Sequence, residues 1–452
     1  MEKFTELIGK ITGYTEWIML FLVIGGGLIL VFYSKLKPYL SFRHAINVVA
    51  GKYDKEGDAG EVSHFQALAA VVAATVGMGN ISGVALAIYN GGPGVVFWMW
   101  MTALVGMCIK FYSCGLAILY RTKDEKGNVL GGPMYYMVNG LGKFGKPLAI
   151  FFSAACLMGV LPMFTVNQFT QGVIEVVNPD QYLALGEFKW RVVIGITLVI
   201  LTSLVIFGGL KKIVKVSSAL VPFMVIVYML AAAVILFTNS GKVLPSFGLI
   251  FSEAFNFETA VKGGFWGLVV LGVRRAVFSN ESGLGTAPMY HGQSKTNEPV
   301  QEGLVAMLGP FIDTIIVCTI TALIIIISGA YLEPAGNGIL LTLHAFDELL
   351  YGLGNELLLI LISVFAISTL FTYSYYGTKA LTFLGGAKIG RYYNHAYIAS
   401  IILAAIASVE LVVGFIDLAF ALMSIPNMIA VIWLAPKMNA AIKSYFNTKR
   451  LF

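Results

Sequence analysis

Apolar residues fall in long runs along the whole chain, separated by short polar stretches. Eleven runs can be drawn, at roughly 17–34, 63–89, 93–120, 148–177, 191–208, 215–238, 258–283, 300–329, 355–382, 396–414 and 416–436, each near the ~20 residues that cross a ~30 Å hydrocarbon core. None alternates with period two, and isolated strands cannot satisfy their backbone groups in lipid, so the runs predict helices. The expected architecture is an all-α polytopic membrane protein with eleven transmembrane helices, embedded in a lipid bilayer. A leading helix in segment 1–62 is followed by ten helices that divide into five-helix sets, 63–238 and 239–440, with a tail at 441–452. The two sets start on opposite sides of the membrane, as in transporters built from inverted repeats.

Composition agrees with this pattern. Charged residues make up 12% of the 452 and apolar residues 58%, whereas a soluble domain carries roughly 25% charged residues. A net charge of +6 is no footprint of nucleic-acid binding here, because the basic residues gather in a few loops. Lys35, Lys37, Arg43, Lys52 and Lys55 follow the first run, Arg121, Lys123 and Lys126 the third, and Lys211, Lys212 and Lys215 the fifth; Arg274 and Arg275 lie late in the seventh. Asp180, Glu187, Glu253 and Glu258 fall on the other side. By the positive-inside rule the basic side is cytoplasmic. That places the N-terminus outside and the C-terminus, with Lys437, Lys443, Lys449 and Arg450, inside. Met1-Glu2-Lys3 lacks the basic start of a signal peptide, so the first run reads as a retained helix. Cys108, Cys114, Cys156 and Cys318 lie in apolar runs without metal-ligand spacing and read as small buried hydrophobes.

The stretch 73–83 (AATVGMGNISG) is the most informative. Gly77, Gly79 and Gly83 crowd the middle of an apolar run, where each costs about 1 kcal/mol relative to Ala in a helix. Thr75, Asn80 and Ser82 supply its side-chain oxygens. An unwound segment at this depth would free carbonyls to ligate a cation and amides to hold a carboxylate. Such chemistry suits a zwitterionic amino acid with sodium. The alternative is close helix packing through small residues.

Other polar positions in apolar runs are fewer. Ser368 and Thr369, with the Phe365 carbonyl one turn earlier, form a hard-oxygen cluster suited to sodium, or else bond ordinary i−4 carbonyls. Gln168, in the polar stretch 164–171, is a candidate substrate contact or a helix–helix hydrogen bond. A second break is expected in the seventh run, at Gly263-Gly264-Phe265-Trp266-Gly267 or at 279–285. The first is the expected site, with Phe265 and Trp266 walling a small side chain and the second cluster acting as a cytoplasmic gate or turn. Lys110 and Asp313 are charges within apolar runs; Asp313 is a possible coupling or gating residue, or a structural hydrogen-bond partner. All five histidines sit near run ends or in loops. No Walker A loop, HExxH or GxSxG is present, so neither an enzyme nor a primary pump is expected.

The stretches 79–85 (GNISGVA), 91–100 (GGPGVVFWMW), 131–136 (GGPMYY), 278–285 (FSNESGLG) and Asp313-Thr314 resemble the alanine or glycine:cation symporter family, in the family's order and over nearly the whole chain. The resemblance implies a LeuT-type fold with two broken helices and an extra helix in front, and sodium- or proton-driven uptake of alanine or glycine. Stretch 76–80 also resembles the unwound first core helix of LeuT-type symporters. Carried over, the carbonyls of Ala73 and Val76 ligate one sodium together with Phe365, Ser368 and Thr369. The amides of Met78 and Gly79 receive the substrate carboxylate, and Thr75 and Asn80 lie beside substrate or a second cation. Ala74 stands where that fold has an asparagine on the substrate amine. Ser282 replaces an expected alanine, and 273–276 varies a usual Arg-Gly pair. The function this implies is sodium-coupled symport of alanine or glycine by alternating access. Alternatives are a proton-coupled carrier of another small zwitterion and, in another class, a channel or membrane receptor.

Overall fold

A computed structural model describes residues 12–125, 127–177, 186–255, 264–332 and 338–449. Met1, Glu2, Lys3, Lys126, Asp180, Glu258, Gly263 and Arg450 lie outside them. The chain is mostly helical. The helices that position the site are α1 (Thr12–Tyr33), α2 (His64–Thr75), α3 (Gly79–Gly91), α4 (Val95–Leu119), α5 (Gly145–Gly159), α6 (Met163–Val177), α7 (Glu187–Ile206) and α8 (Gly209–Thr238). They continue with α9 (Gly264–Asn280), α10 (Ala287–His291), α11 (Pro299–Ser328), α12 (Ile339–Leu349), α13 (Gly354–Gly390), α14 (Tyr393–Ile406) and α15 (Val409–Lys449). A two-strand hairpin, β1 (Thr122–Lys123) with β2 (Val129–Leu130), closes the loop after α4.

Among the described residues, eight helices are long and apolar enough to cross a membrane, and α2 with α3 forms a further pair bent by 51°. α4 is the central one: 89% of its spanning window is buried, against 28% for α7 and 33% for α8. α7 and α8 turn Leu204, Leu230 and Phe237 outward, as a lipid-facing surface requires. α2 starts on a capping box, Ser63 accepting from the Gln66 N–H and Gln66 from the Ser63 N–H, which satisfies two otherwise orphaned donors.

Two expected runs are interrupted. Run 148–177 is split between α5 and α6 at 160–162, where Pro162 stands; a proline in mid-helix removes a donor and crowds the preceding turn. Run 396–414 is split at Ala407, whose ψ of 156° leaves the helical region. The short helix α12 was not anticipated. Arg274 and Arg275 are not loop charges on the side of Lys35 and Lys37. They sit within α9 and pair with Glu16, at the start of α1, and with Asp417 of α15, so they occupy the half of the molecule where α1 begins. Buried acids, not a solvated loop, explain their place.

Candidate functional site

The helical ladder of α2 ends at Val76, whose ψ of 94° is extended. Asn80 rebuilds the turn: its Oδ1 accepts from the Gly77 N–H at 2.9 Å, and its own N–H donates to the Gly77 carbonyl at 3.1 Å. α13 crosses at this point. The Thr369 hydroxyl donates to the Ala73 carbonyl at 3.2 Å, and the Ser368 hydroxyl to the Phe365 carbonyl at 2.9 Å and the Ala73 carbonyl at 3.4 Å. A Cβ on Gly77 would stand 2.6 Å from Thr369 Oγ1, so a glycine is what lets the two helices meet here. The structure thus brings together Ala73, Phe365, Ser368 and Thr369, and sets Val76 at the end of the same turn.

Beside this cluster is a cavity of about 20 Å³, lined by Ala74, Thr75, Gly77, Met78 and Gly79 of the break and by Thr165, Thr369 and Tyr373. Leu161, Phe164, Phe278, Ile416 and Phe420 complete its wall. The Thr75 hydroxyl is buried without a hydrogen-bond partner, a group left free to meet a ligand. The volume holds about one water, so an amino acid enters only when the aromatic wall moves. Phe278 is the centre of that wall, with its ring 4.7 Å from Phe164 and 5.6 Å from Phe420.

Three expected substrate contacts lie outside the lining of this cavity. Gln168 does not line the cavity; its Oε1 accepts from the Ile339 N–H at 3.1 Å and so holds the start of α12. Thr165, one turn earlier on α6, lines the cavity instead. Phe265 packs against Trp98, and Trp266 is 67% exposed and faces a separate outer cavity. Both stand in the first turn of α9 as described from Gly264; Gly263, the other half of that glycine pair, lies outside the described residues. The second break follows α9, where Glu281, Gly283 and Gly285 all take positive φ (55°, 88° and 87°), a conformation glycine adopts freely and glutamate rarely.

Asp313 sits in a π-helical stretch of α11, Phe311–Cys318, fully buried. It joins the two breaks. Asn80 Nδ2 donates to its Oδ1 at 2.7 Å, while the Ser279 and Thr314 hydroxyls donate to its Oδ2 at 2.7 and 2.8 Å. π-bulges inside helices concentrate at functional sites. Across the second break, Glu281 accepts from the Thr286 and Tyr373 hydroxyls. Asn80 therefore faces Asp313, not the cavity.

Toward the start of α1, an outer cavity of about 530 Å³ is lined by Trp17, Asn90, Trp266, Arg274 and Arg275 among others. Arg275 bonds Asp417 at 2.7 Å and lies 5.4 Å from the Phe278 ring, separating the outer cavity from the inner one. On the opposite side is a group that sequence reasoning missed. The buried carboxylate of Glu302 takes His64 Nδ1 and His291 Nδ1, each at 2.5 Å, and the Ser294 hydroxyl at 2.7 Å. It ties the first turn of α2 to α10, the helix after the second break. Histidines near run ends carried no signal that they converge.

A broken span, a turn of positive φ after α9 and a buried cavity beside them, within a bundle of membrane-length helices, are features of multi-pass secondary transporters. The chain belongs to the sodium:alanine symporter family, whose profile matches residues 1–451. It is 38% identical over 452 residues to the sodium/alanine symporter AgcS of Methanococcus maripaludis, covering 98% of this chain and 97% of that one. It is 32% identical over 457 residues to the probable sodium/glutamine symporter GlnT of Bacillus subtilis, covering 100% and 92%. Among solved structures it is similar to MhsT in complex with L-phenylalanine, with a TM-score of 0.60 at 13% identity over 85% of this chain and 98% of that one. That last likeness concerns the fold alone.

Proposed function

We propose that the chain takes up alanine or glycine with sodium, by alternating access around the break between α2 and α3. The observation that carries this reading is the meeting of the Ser368 and Thr369 hydroxyls with the Ala73 carbonyl, beside a cavity walled for a small apolar side chain. Sodium is held by the carbonyls of Ala73, Val76 and Phe365 and by the two hydroxyls. The substrate carboxylate lies on the amides of Met78 and Gly79, with Thr75 and Thr165 beside it. The group of Asn80, Ser279, Asp313 and Thr314 is a second cation locus. The N-terminus is outside and the C-terminus cytoplasmic, and segments 63–238 and 239–440 are the two five-helix halves.

A second reading, proton-driven uptake of a small zwitterion, is favoured by the buried carboxylate of Asp313 at the junction of both breaks. Uptake of radiolabelled alanine and glycine into proteoliposomes under a sodium gradient, with a proton gradient run alongside, separates the two. Accumulation driven by sodium alone supports symport with sodium; accumulation driven by protons alone moves the coupling to Asp313. No accumulation of either amino acid by folded protein rejects the substrate.

Replacing Ser368 and Thr369 together by alanine removes two of five proposed ligands. We expect the sodium concentration for half-maximal uptake to rise by about ten-fold, equivalent to ~1.4 kcal/mol. An unchanged sodium dependence would take the pair out of the ion site.

A further inference from the structure

Two asparagines stand in matching places at the two breaks. Asn80 takes the Gly77 N–H on its Oδ1 and donates to Asp313 with its Nδ2. Asn280, the last residue of α9, takes the Ser282 N–H on its Oδ1 at 3.0 Å and donates to the Thr314 hydroxyl with its Nδ2 at 2.9 Å. Each amide thus bonds the backbone of its own break and one of two consecutive residues in the π-helical stretch of α11. Asn80, Asn280, Asp313 and Thr314 are all fully buried. A leucine would fill the place of Asn280, but it would leave the Ser282 N–H without this acceptor and the Thr314 hydroxyl without this donor. A buried amide is costly unless it is hydrogen-bonded, so packing alone does not account for an asparagine here.

The chemistry of the groups decides which way these bonds run. Only the oxygen of a side-chain amide can receive the Ser282 N–H, which turns the NH₂ of Asn280 toward Thr314. A hydroxyl carries one proton and two lone pairs. With a lone pair of Thr314 taken by Asn280, its proton is left for Asp313 Oδ2, 2.8 Å away. Asn280 does not line the inner cavity; it reaches the Asp313 group through Thr314.

We infer that Asn280 is a positioning residue for sodium: it aims the Thr314 hydroxyl and ties the Asp313 group to the second break, as Asn80 ties that group to the first. The inference rests on the reading of the Asp313 group as a cation locus. Groups that orient the ligands of a metal without touching it change its affinity by about 10–100-fold when removed. Because both breaks are bonded to one short stretch, an ion held there favours the arrangement in which both ties are made.

The test uses the purified full-length protein and two readouts, equilibrium binding of radiolabelled sodium and the melting temperature without sodium. Asn280→Leu is expected to raise the sodium midpoint by about ten-fold. Asn280→Ser keeps a hydroxyl able to take the N–H two residues on but is too short to bond Thr314. It is expected to raise the midpoint as much, and it keeps the inference testable where Asn280→Leu does not fold. Thr314→Val should also raise the midpoint, and adding Asn280→Ser to it should raise the midpoint no further, because the two residues act in series. A folded Asn280 variant that melts lower without sodium yet keeps the wild-type midpoint has lost only a structural bond, and that result overturns the inference. So does a double variant whose shift is the sum of the two single ones. Asp313→Asn checks the underlying reading separately. If it binds sodium with the wild-type midpoint, the locus is wrong; if it loses sodium while the Asn280 variants do not, the positioning role alone fails.

Discussion

Asp313→Asn is expected to lower sodium-driven alanine uptake at least about 100-fold while leaving the protein folded. Asparagine has the shape of aspartate, and the local bonding tolerates it. Its amide oxygen can take the Asn80 donor that now meets Oδ1, and its NH₂ can face the Ser279 and Thr314 hydroxyls that now meet Oδ2. A hydroxyl both donates and accepts, so the two can rotate to receive it. On the proposal that this group holds a cation, what is lost is the carboxylate, the other side chains bonded there being neutral. Removing one side of a buried charged interaction costs about 2–5 kcal/mol, and the lower part of that range already corresponds to ~100-fold. Uptake in proteoliposomes, paired with a melting curve in detergent, separates lost coupling from lost structure. Uptake within ten-fold of wild type would leave Asp313 a purely structural bonding partner.

Glu302→Ala is expected to have the largest effect on stability. Its carboxylate is fully buried and gathers His64, His291 and Ser294 from two distant parts of the chain. Truncating one partner of a buried ionic network costs about 3–5 kcal/mol, because the groups left behind stay out of water and unpaired. Glu302→Gln retains an acceptor and should lose less. Thermal unfolding followed at fixed detergent and sodium should therefore rank wild type above Gln and Gln above Ala. Equal melting points would mean that His64 and His291 find other partners at no cost.

The places where sequence reading and structure agree or part have physical causes. The interruption near Val76 was legible because glycines clustered within an apolar run have few other uses; the crossing of α13 over Ala73 was legible only through the resemblance to LeuT-type symporters, since hydroxyls in an apolar run equally bond their own i−4 carbonyls. Of the two readings of Gln168 the structure shows the hydrogen bond between elements, to α12, a short helix that leaves little trace among longer apolar runs. Phe265 and Trp266 stand in the first turn of α9, away from the cavity. The second break shows in the dihedrals at 281–285. The Glu302 group joins residues 238 positions apart in the chain, and no periodicity reports that.

The pairing of Glu16 with Arg274 also bears on the modularity of the chain. α1 precedes the ten helices of the two proposed halves and looks like an appendage that could be gained or lost. Yet its acid meets an arginine of α9, and that same arginine is 3.7 Å from Asp417 on α15. The leading helix is thereby written into the electrostatics of both later helices. A chain shortened to begin at α2 would leave Arg274 at the outer cavity without Glu16, sharing Asp417 with Arg275. The extra helix and the residues it neutralises can only have been kept, or discarded, together.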